Sequence, residues 1–261
     1  MDGSGDEPPA DRLELPVAVL EPAAAEALLR DGEIELVGQI VGSSNGALVV
    51  TVTRRCPDPE PDLTATAVYK PIRFERPLVD FPVGTLAARE VAAYVLSEAS
   101  GWRVAPPTVL REGPAGPGMF QLWIEADETV DRVALALDED PRLRGMALFD
   151  VIANNADRKI GHLLPVAGGH VYGVDHGLTF HAESKLRTVL WGWRGEPLSG
   201  DELEQVEAAR DLLLGDLGER LRALLSRSEV AATVRRAERL LRAGRFPQPD
   251  RDRPAIPWPP Y

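Results

Sequence analysis

Apolar residues change their spacing several times along the chain, and each change marks an element. Residues 22–30 carry alanine and leucine behind Pro22 and predict a short helix, with the proline in the first turn and Gly32 as its stop. Residues 34–41 and 47–52 then read as two strands, separated by the small polar run Gly42-Ser43-Ser44-Asn45-Gly46. After a proline-rich excursion over 54–63, a third strand is predicted at 66–70 and stopped by Pro71. Leu86, Arg89, Glu90, Ala93 and Leu96 fall at helical spacing within 85–100, with Thr85 as the expected cap and Gly101 as the stop. Two more strands are expected at 107–111 and 119–125, joined by a glycine- and proline-rich turn.

From Ala126 the pattern turns helical. Asp140-Pro141 reads as a cap followed by a first-turn proline, and Leu143, Ala147, Leu148, Val151 and Ile152 then form an apolar face. A polar loop over 154–163 leads to a short hairpin, 163–166 and 170–174, around Gly168-Gly169. The remainder is mainly helix, with capping boxes at Ser199/Glu202 and Ser226/Glu229, and it ends in a proline-rich extended stretch after Gly244. The order predicts an α+β protein with a small sheet lobe at 21–125 and a larger helical lobe at 126–245. An acidic, mobile tail at 1–20 and a proline-rich tail at 246–261 flank them, and the ligand crevice is expected between the lobes.

Composition narrows the function classes. With 44% hydrophobic residues in 261, the chain can build a core. A net charge of −12 opposes non-specific binding to nucleic acid or to an anionic membrane surface. No apolar run reaches the roughly 18 residues of a membrane span, so no integral membrane contact is expected. The N-terminal residues lack the basic start and apolar run of a signal peptide, and the expectation is a cytoplasmic protein. The single cysteine, Cys56, excludes an internal disulfide and any multi-cysteine zinc site. Only three lysines occur, Lys70, Lys159 and Lys185. A chain this rich in arginine can be keeping lysine where a compact charge is needed, although coding bias gives the same ratio.

Four segments carry the parts that phosphoryl transfer requires: a phosphate cover, a cation, metal-binding carboxylates and a group that orients the acceptor. Gly42, Ser43 and Ser44 let backbone amides approach phosphate oxygens; alone, the run is an ordinary hairpin turn. Lys70 ends a strand 20 residues before Glu90, which sits in the next helix and can hold the lysine in place. The bland alternative is two solvated surface residues, against which stand the apolar neighbours Val68 and Ile72. In the loop 154–163, Asp157 can orient or deprotonate an acceptor hydroxyl, Lys159 can neutralise a transferred phosphate, and His162 stands where a metal ligand is wanted. A turn rich in asparagine and aspartate, with a satisfied structural histidine, is the alternative. Asp175 follows an apolar strand, precedes Gly177 and lies 18 residues after Asp157, poised for magnesium.

In this order the segments resemble the protein-kinase-like superfamily, and most closely the phosphatidylinositol 3- and 4-kinases, in particular the type II phosphatidylinositol 4-kinases and their bacterial relatives. Tyr69-Lys70-Pro71 resembles the nucleotide-lysine segment, Glu90 to Tyr94 the ion-pair helix, and Val104 to Thr108 the strand entry that follows. Phe120-Gln121-Leu122-Trp123-Ile124-Glu125 is similar to the lobe-joining segment. Asp150 to Arg158 resembles the catalytic helix and loop, and Asp175-His176-Gly177-Leu178 the metal-binding segment. Gly42-Ser43-Ser44 resembles the phosphate loop. The likeness spans roughly residues 35–195.

The resemblance implies a two-lobed kinase fold that uses ATP with magnesium or manganese. It implies Asp157 and Lys159 as catalytic residues, and Asp175 and His162 as metal ligands. ATP would be bound by Gly42, Ser43, Ser44, Lys70 and Glu90, and at the adenine by Gln121, Leu122, Trp123 and Ile124. The family places asparagine five residues after its catalytic aspartate, where this chain has His162, a ligand better suited to softer ions such as manganese. The leading expectation is a kinase acting on a hydroxyl of a protein, a metabolite or a lipid. The acidic charge ranks an inositol lipid below the others. The alternatives are a nucleotide-binding pseudokinase that regulates a protein partner, and transfer of the nucleotide to a side chain.

Overall fold

The computed structural model of the chain describes residue 16, residues 20–40 and residues 46–261. Most of the predicted 1–20 tail, and the Gly42, Ser43 and Ser44 run, lie outside the described residues.

Helix α1 (Pro22–Asp31) leads into five antiparallel strands: β1 (Glu33–Gln39), β2 (Leu48–Arg54), β3 (Leu63–Pro71), β4 (Thr108–Gly113) and β5 (Gly116–Leu122). They lie in the order β1-β2-β3-β5-β4. Strand alternation divides their side chains between two faces. Ala65, Ala67 and Tyr69 of β3 and Phe120 and Leu122 of β5 turn toward Ala25, Leu28 and Leu29 of α1 and form one core. The Tyr69 and Phe120 rings stack with centroids 4.2 Å apart. Lys70 and its cross-strand partner Met119 point to the other face, where Met119 packs on Ala87 and Val91 of helix α2 (Leu86–Ala99). Because that alternation is fixed, filling the α1 face with Tyr69 commits the Lys70 side chain to the α2 side.

Helix α2 is buried on nearly every side because it also serves the second lobe. Its Ala92, Ala93 and Leu96 join the large core of Leu148, Phe149, Ile152 and their neighbours. That lobe contains α3 (Arg132–Leu137), α4 (Arg144–Ala153), the hairpin β6 (Leu163–Pro165) and β7 (Val171–Gly173), and helices α5 (Gly200–Leu214), α6 (Asp216–Arg222) and α7 (Arg227–Ala243). Both expected capping boxes form at α5 and α7. The fold is α+β and two-lobed, a five-stranded antiparallel sheet lobe followed by a mainly helical one. No described helix is long and apolar enough to cross a membrane.

Three local expectations are corrected. Thr85 does not cap α2: its backbone is already near helical geometry (φ −112, ψ −5), and its hydroxyl donates to the Pro82 carbonyl. The Glu75 carboxylate reaches in from the preceding loop instead, accepting from the Leu86 and Ala87 amides at 3.1 and 2.8 Å. Asp140 caps a 3₁₀ turn, Pro141–Leu143, that feeds into α4 rather than capping α4 itself. The strand expected to run to residue 125 ends at Leu122.

Candidate active site

Four chain segments meet at the crevice. The end of β3 supplies Lys70 and α2 supplies Glu90. The loop after α4 supplies Asp157 and Lys159, and the segment after β7 supplies Asp175. Lys70, Glu90, Asp157 and Asp175 line one cavity of about 150 Å³, with Gly177 and Leu178 beside them.

Lys70 is the hub. Its Nζ donates to Glu90 Oε1 at 2.6 Å and to Asp175 Oδ1 at 2.9 Å. Burial disfavours the ammonium, but the Asp175 and Glu90 carboxylates more than offset that cost and raise its pKa above the usual lysine value. Glu90 uses its second oxygen to accept from the His176 amide at 2.7 Å, so one carboxylate fixes both the lysine and the 175–177 segment. The Lys70 charge holds the Asp175 carboxyl below the usual range. Asp175 has φ +61, a left-handed conformation that costs a non-glycine residue on the order of 1 kcal/mol. Gly177 passes close enough to α2 that a Cβ there would sit 3.4 Å from Leu86 Cβ.

His162 stands on the open side of Asp175, its Nε2 3.5 Å from Asp175 Oδ2. Its Nδ1 accepts from the Lys159 amide at 3.4 Å, which assigns the proton of the neutral ring to Nε2. Burial lowers its pKa to about 4, Asp175 opposing, so the ring is neutral at pH 7. Lys159 Nζ lies 3.3 Å from Asp157 Oδ2. Burial raises the Asp157 carboxyl above its ordinary value, with Lys159 opposing.

The loop that presents Asp157 is held from below by a buried network. Asn154 ends α4 in the left-handed conformation, and its side chain binds the carbonyls of His181 and Glu183 and the Lys185 amide. Asn155 donates to Asp150 Oδ1 and accepts from the Asp157 amide. Asp150 and Arg158, both fully buried, form a two-pronged ion pair at 3.0 and 2.9 Å. Arg158 also donates to the Val174 carbonyl and to His176 Nε2 at 2.7 Å. Because a guanidinium only donates, His176 must accept at Nε2 and carry its proton on Nδ1, which is buried without a partner among the described residues. Burial and the Arg158 charge keep this ring neutral. Arg158 thus links the Asp157 loop to the Asp175 segment.

Sequence reasoning missed several of these residues. In the sequence Arg158 stands only as part of a loop, Glu75 in a connecting loop gives no local signal, and Arg89 shows only helical spacing. Arg89 is buried and pairs with Glu229 of α7 while donating to the Thr179 carbonyl at 2.7 Å, so it ties α2 to the helical lobe.

The adenine-segment residues sit elsewhere. Gln121 donates across the sheet to Thr108 Oγ1, and the amides of Leu122 and Trp123 donate to Pro107 and Thr66 carbonyls. Ile124 packs on the α1-side core. None of the four lines the 150 Å³ cavity. Residues 246–261 contain no helix or strand, but they are not detached: the Pro260 carbonyl accepts from Ile160 in the 154–163 loop, and the Ala255 carbonyl accepts from Thr188 and from Trp191 Nε1.

Asp175 and His162 are close enough to flank one ion, but hard cations want about six oxygens. Among the described residues, no three His, Cys, Asp or Glu side chains form a self-sufficient metal site.

No known family profile matches the chain. The structure titled "The structure of hydra Fam20 with sugar" aligns at a TM-score of 0.48 and 16% identity, over 81% of this chain and 85% of that one. "Protein Rv2133c" of Mycobacterium tuberculosis (strain ATCC 25618 / H37Rv) is 41% identical over an alignment 270 residues long, gaps included, that covers 90% of this chain and 95% of that protein. Identity of that extent over nearly the full length of both proteins means that the chain belongs to the same family as Protein Rv2133c.

Proposed function

We propose that the chain is a metal-dependent ATP phosphotransferase, similar to phosphatidylinositol 3- and 4-kinases in its catalytic parts, acting on a hydroxyl acceptor. The observation that carries this reading is Lys70 bridging Glu90 and Asp175 in the cavity that also holds Asp157. Lys70, kept in place by Glu90, binds phosphate oxygens of the nucleotide. Asp175 and His162 hold the cation, which neutralises charge on the phosphates when bound. To hold the cation at Nε2, the His162 ring would carry its proton on Nδ1 and give up the contact with the Lys159 amide, and Lys70 would exchange its bond to Asp175 for the phosphates. Gly42, Ser43 and Ser44 complete the phosphate cover, and the 121–124 segment would serve the adenine through backbone groups other than the Leu122 and Trp123 amides, which the sheet already uses. Asp157 orients the acceptor hydroxyl and takes its proton as the new oxygen–phosphorus bond forms and the bond to ADP breaks. Lys159, beside Asp157, neutralises the phosphoryl group in transit.

A second reading, a nucleotide-binding pseudokinase, is favoured by one observation: both oxygens of Asp175 already face a side chain of the chain itself. Phosphate release from ATP labelled at the terminal phosphorus tests the choice. Release that falls by about 100-fold or more in Asp157→Asn supports phosphotransfer. Release equal in wild type and variant removes Asp157 from the chemistry. Product carrying the adenine label would instead assign nucleotide transfer.

A further inference from the structure

Far larger than the Asp157 cavity is a second one in the helical lobe, about 780 Å³, walled by the end of α4, the 182–195 segment, α7 and residues 245–250. The two cavities share no lining residue. Leu240, Phe246 and Trp191 give it an apolar wall. Arg236, Arg239 and Arg245 face it against a single carboxylate, Asp250. This accumulation of positive charge stands out in a chain of net charge −12.

Arg236 is the informative residue. It is only 8% exposed, yet it forms no ion pair among the described residues. Its donors go to uncharged oxygens: Nε to the Ile152 carbonyl at 2.7 Å, one terminal nitrogen to the His181 carbonyl at 3.1 Å, the other to Thr233 Oγ1 at 2.8 Å. Of five N–H groups, these use three. Buried guanidinium groups ordinarily sit against a carboxylate, because an uncompensated charge in a cavity is costly. Here burial, with Arg239 and Arg235 adjacent, pushes the guanidinium down to about 9, still charged at pH 7. The exposed Arg239 side chain has no hydrogen-bonding or ionic partner among the described residues, and the Arg245 side chain reaches only the Gly195 carbonyl at 3.4 Å. The cavity size is that of small-molecule sites, about 300–1,000 Å³.

We propose that this cavity binds a soluble phosphate monoester with an apolar body, whose acidic group is held by Arg236, Arg239 and Arg245. The apolar body lies on Trp191, Phe246 and Leu240. The assignment is independent of the phosphotransfer reading, since it uses none of the same residues.

The test is calorimetric titration of the full chain with hexyl phosphate, inorganic phosphate and hexan-1-ol. Hexyl phosphate is expected to bind saturably, with the other two about tenfold weaker or more, since each supplies half of the complementarity. Arg239→Glu and Arg245→Glu change exposed side chains and should leave the urea midpoint near wild type, while each weakens hexyl phosphate about tenfold or more. Hexan-1-ol or inorganic phosphate binding as tightly as hexyl phosphate, no saturable binding to wild type, or unchanged affinity in folded Arg239→Glu would each overturn the proposal. Sedimentation with phosphatidate vesicles should show no binding, because the net charge opposes an anionic surface. Capture by vesicles without binding of soluble hexyl phosphate would overturn the soluble assignment.

Discussion

Replacing Arg158 with methionine isolates the element that joins the two halves of the candidate site. The guanidinium is fully buried, makes two bonds to the equally buried Asp150, and reaches Val174 and His176. Methionine roughly fills the space of the stem but leaves the Asp150 carboxylate with only Asn155 and Thr188 as partners. Removing one partner of a buried pair typically costs about 3–5 kcal/mol. At 2–4 °C per kcal/mol for a protein of this size, the melting temperature should fall by roughly 10 °C. Urea unfolding gives the free energy, with an unchanged m-value confirming that the same cooperative unit is measured. The double variant Asp150→Leu/Arg158→Met removes both charges and should be more stable than Arg158→Met alone. A loss under about 1 kcal/mol in Arg158→Met, the range of ordinary substitutions, would refute the claim that this pair holds the 154–163 loop to the 175–177 segment.

Three further outcomes follow from the same geometry. Ser226 and Arg89 outweigh burial and lower the Glu229 pKa, so its contribution is present above about 4.5 and lost as pH falls through the lower folded value. Denaturant midpoints measured from pH 6 down should therefore fall less steeply in Glu229→Gln than in wild type; parallel curves would show that Glu229 titrates alike in both states. A Cβ on Gly118 would lie 2.5 Å from the Lys70 carbonyl, so Gly118→Ala should separate β5 from β3 and destabilise by about 1–3 kcal/mol, read from urea unfolding. Glu90→Gln halves the charge that faces Lys70 and sets an amide N–H against either Lys70 Nζ or the His176 amide, so it should lower the melting temperature and weaken ATP binding in titration of the folded variant; equal affinity would remove Glu90 from nucleotide positioning.

Much of the fold is legible because local signals agree with tertiary demands. The capping boxes at Ser199 and Ser226 form as spaced. The failures share a cause. Glu75 caps α2 from a loop 11 residues away, and no spacing rule links a loop carboxylate to a distant helix start. Thr85 has the residue type of a cap but not the extended backbone that a cap needs. The same asymmetry holds at the site. Lys70, Glu90, Asp157 and Asp175 stand out because their residue types and intervals match a known pattern, and the structure brings these four into one cavity. Asp150 and Arg158 act through burial, and Arg236 is notable only for the carboxylate it lacks; neither property is written in a one-dimensional pattern.

Titration calorimetry tests most directly whether Asp175 binds a cation jointly with ATP. Wild-type protein titrated with ATP, with magnesium and then with manganese, should bind only when metal is present, and Asp175→Ala should lose that dependence. Metal-dependent binding retained in Asp175→Ala, or no ATP binding by folded wild type with either metal, would contradict it.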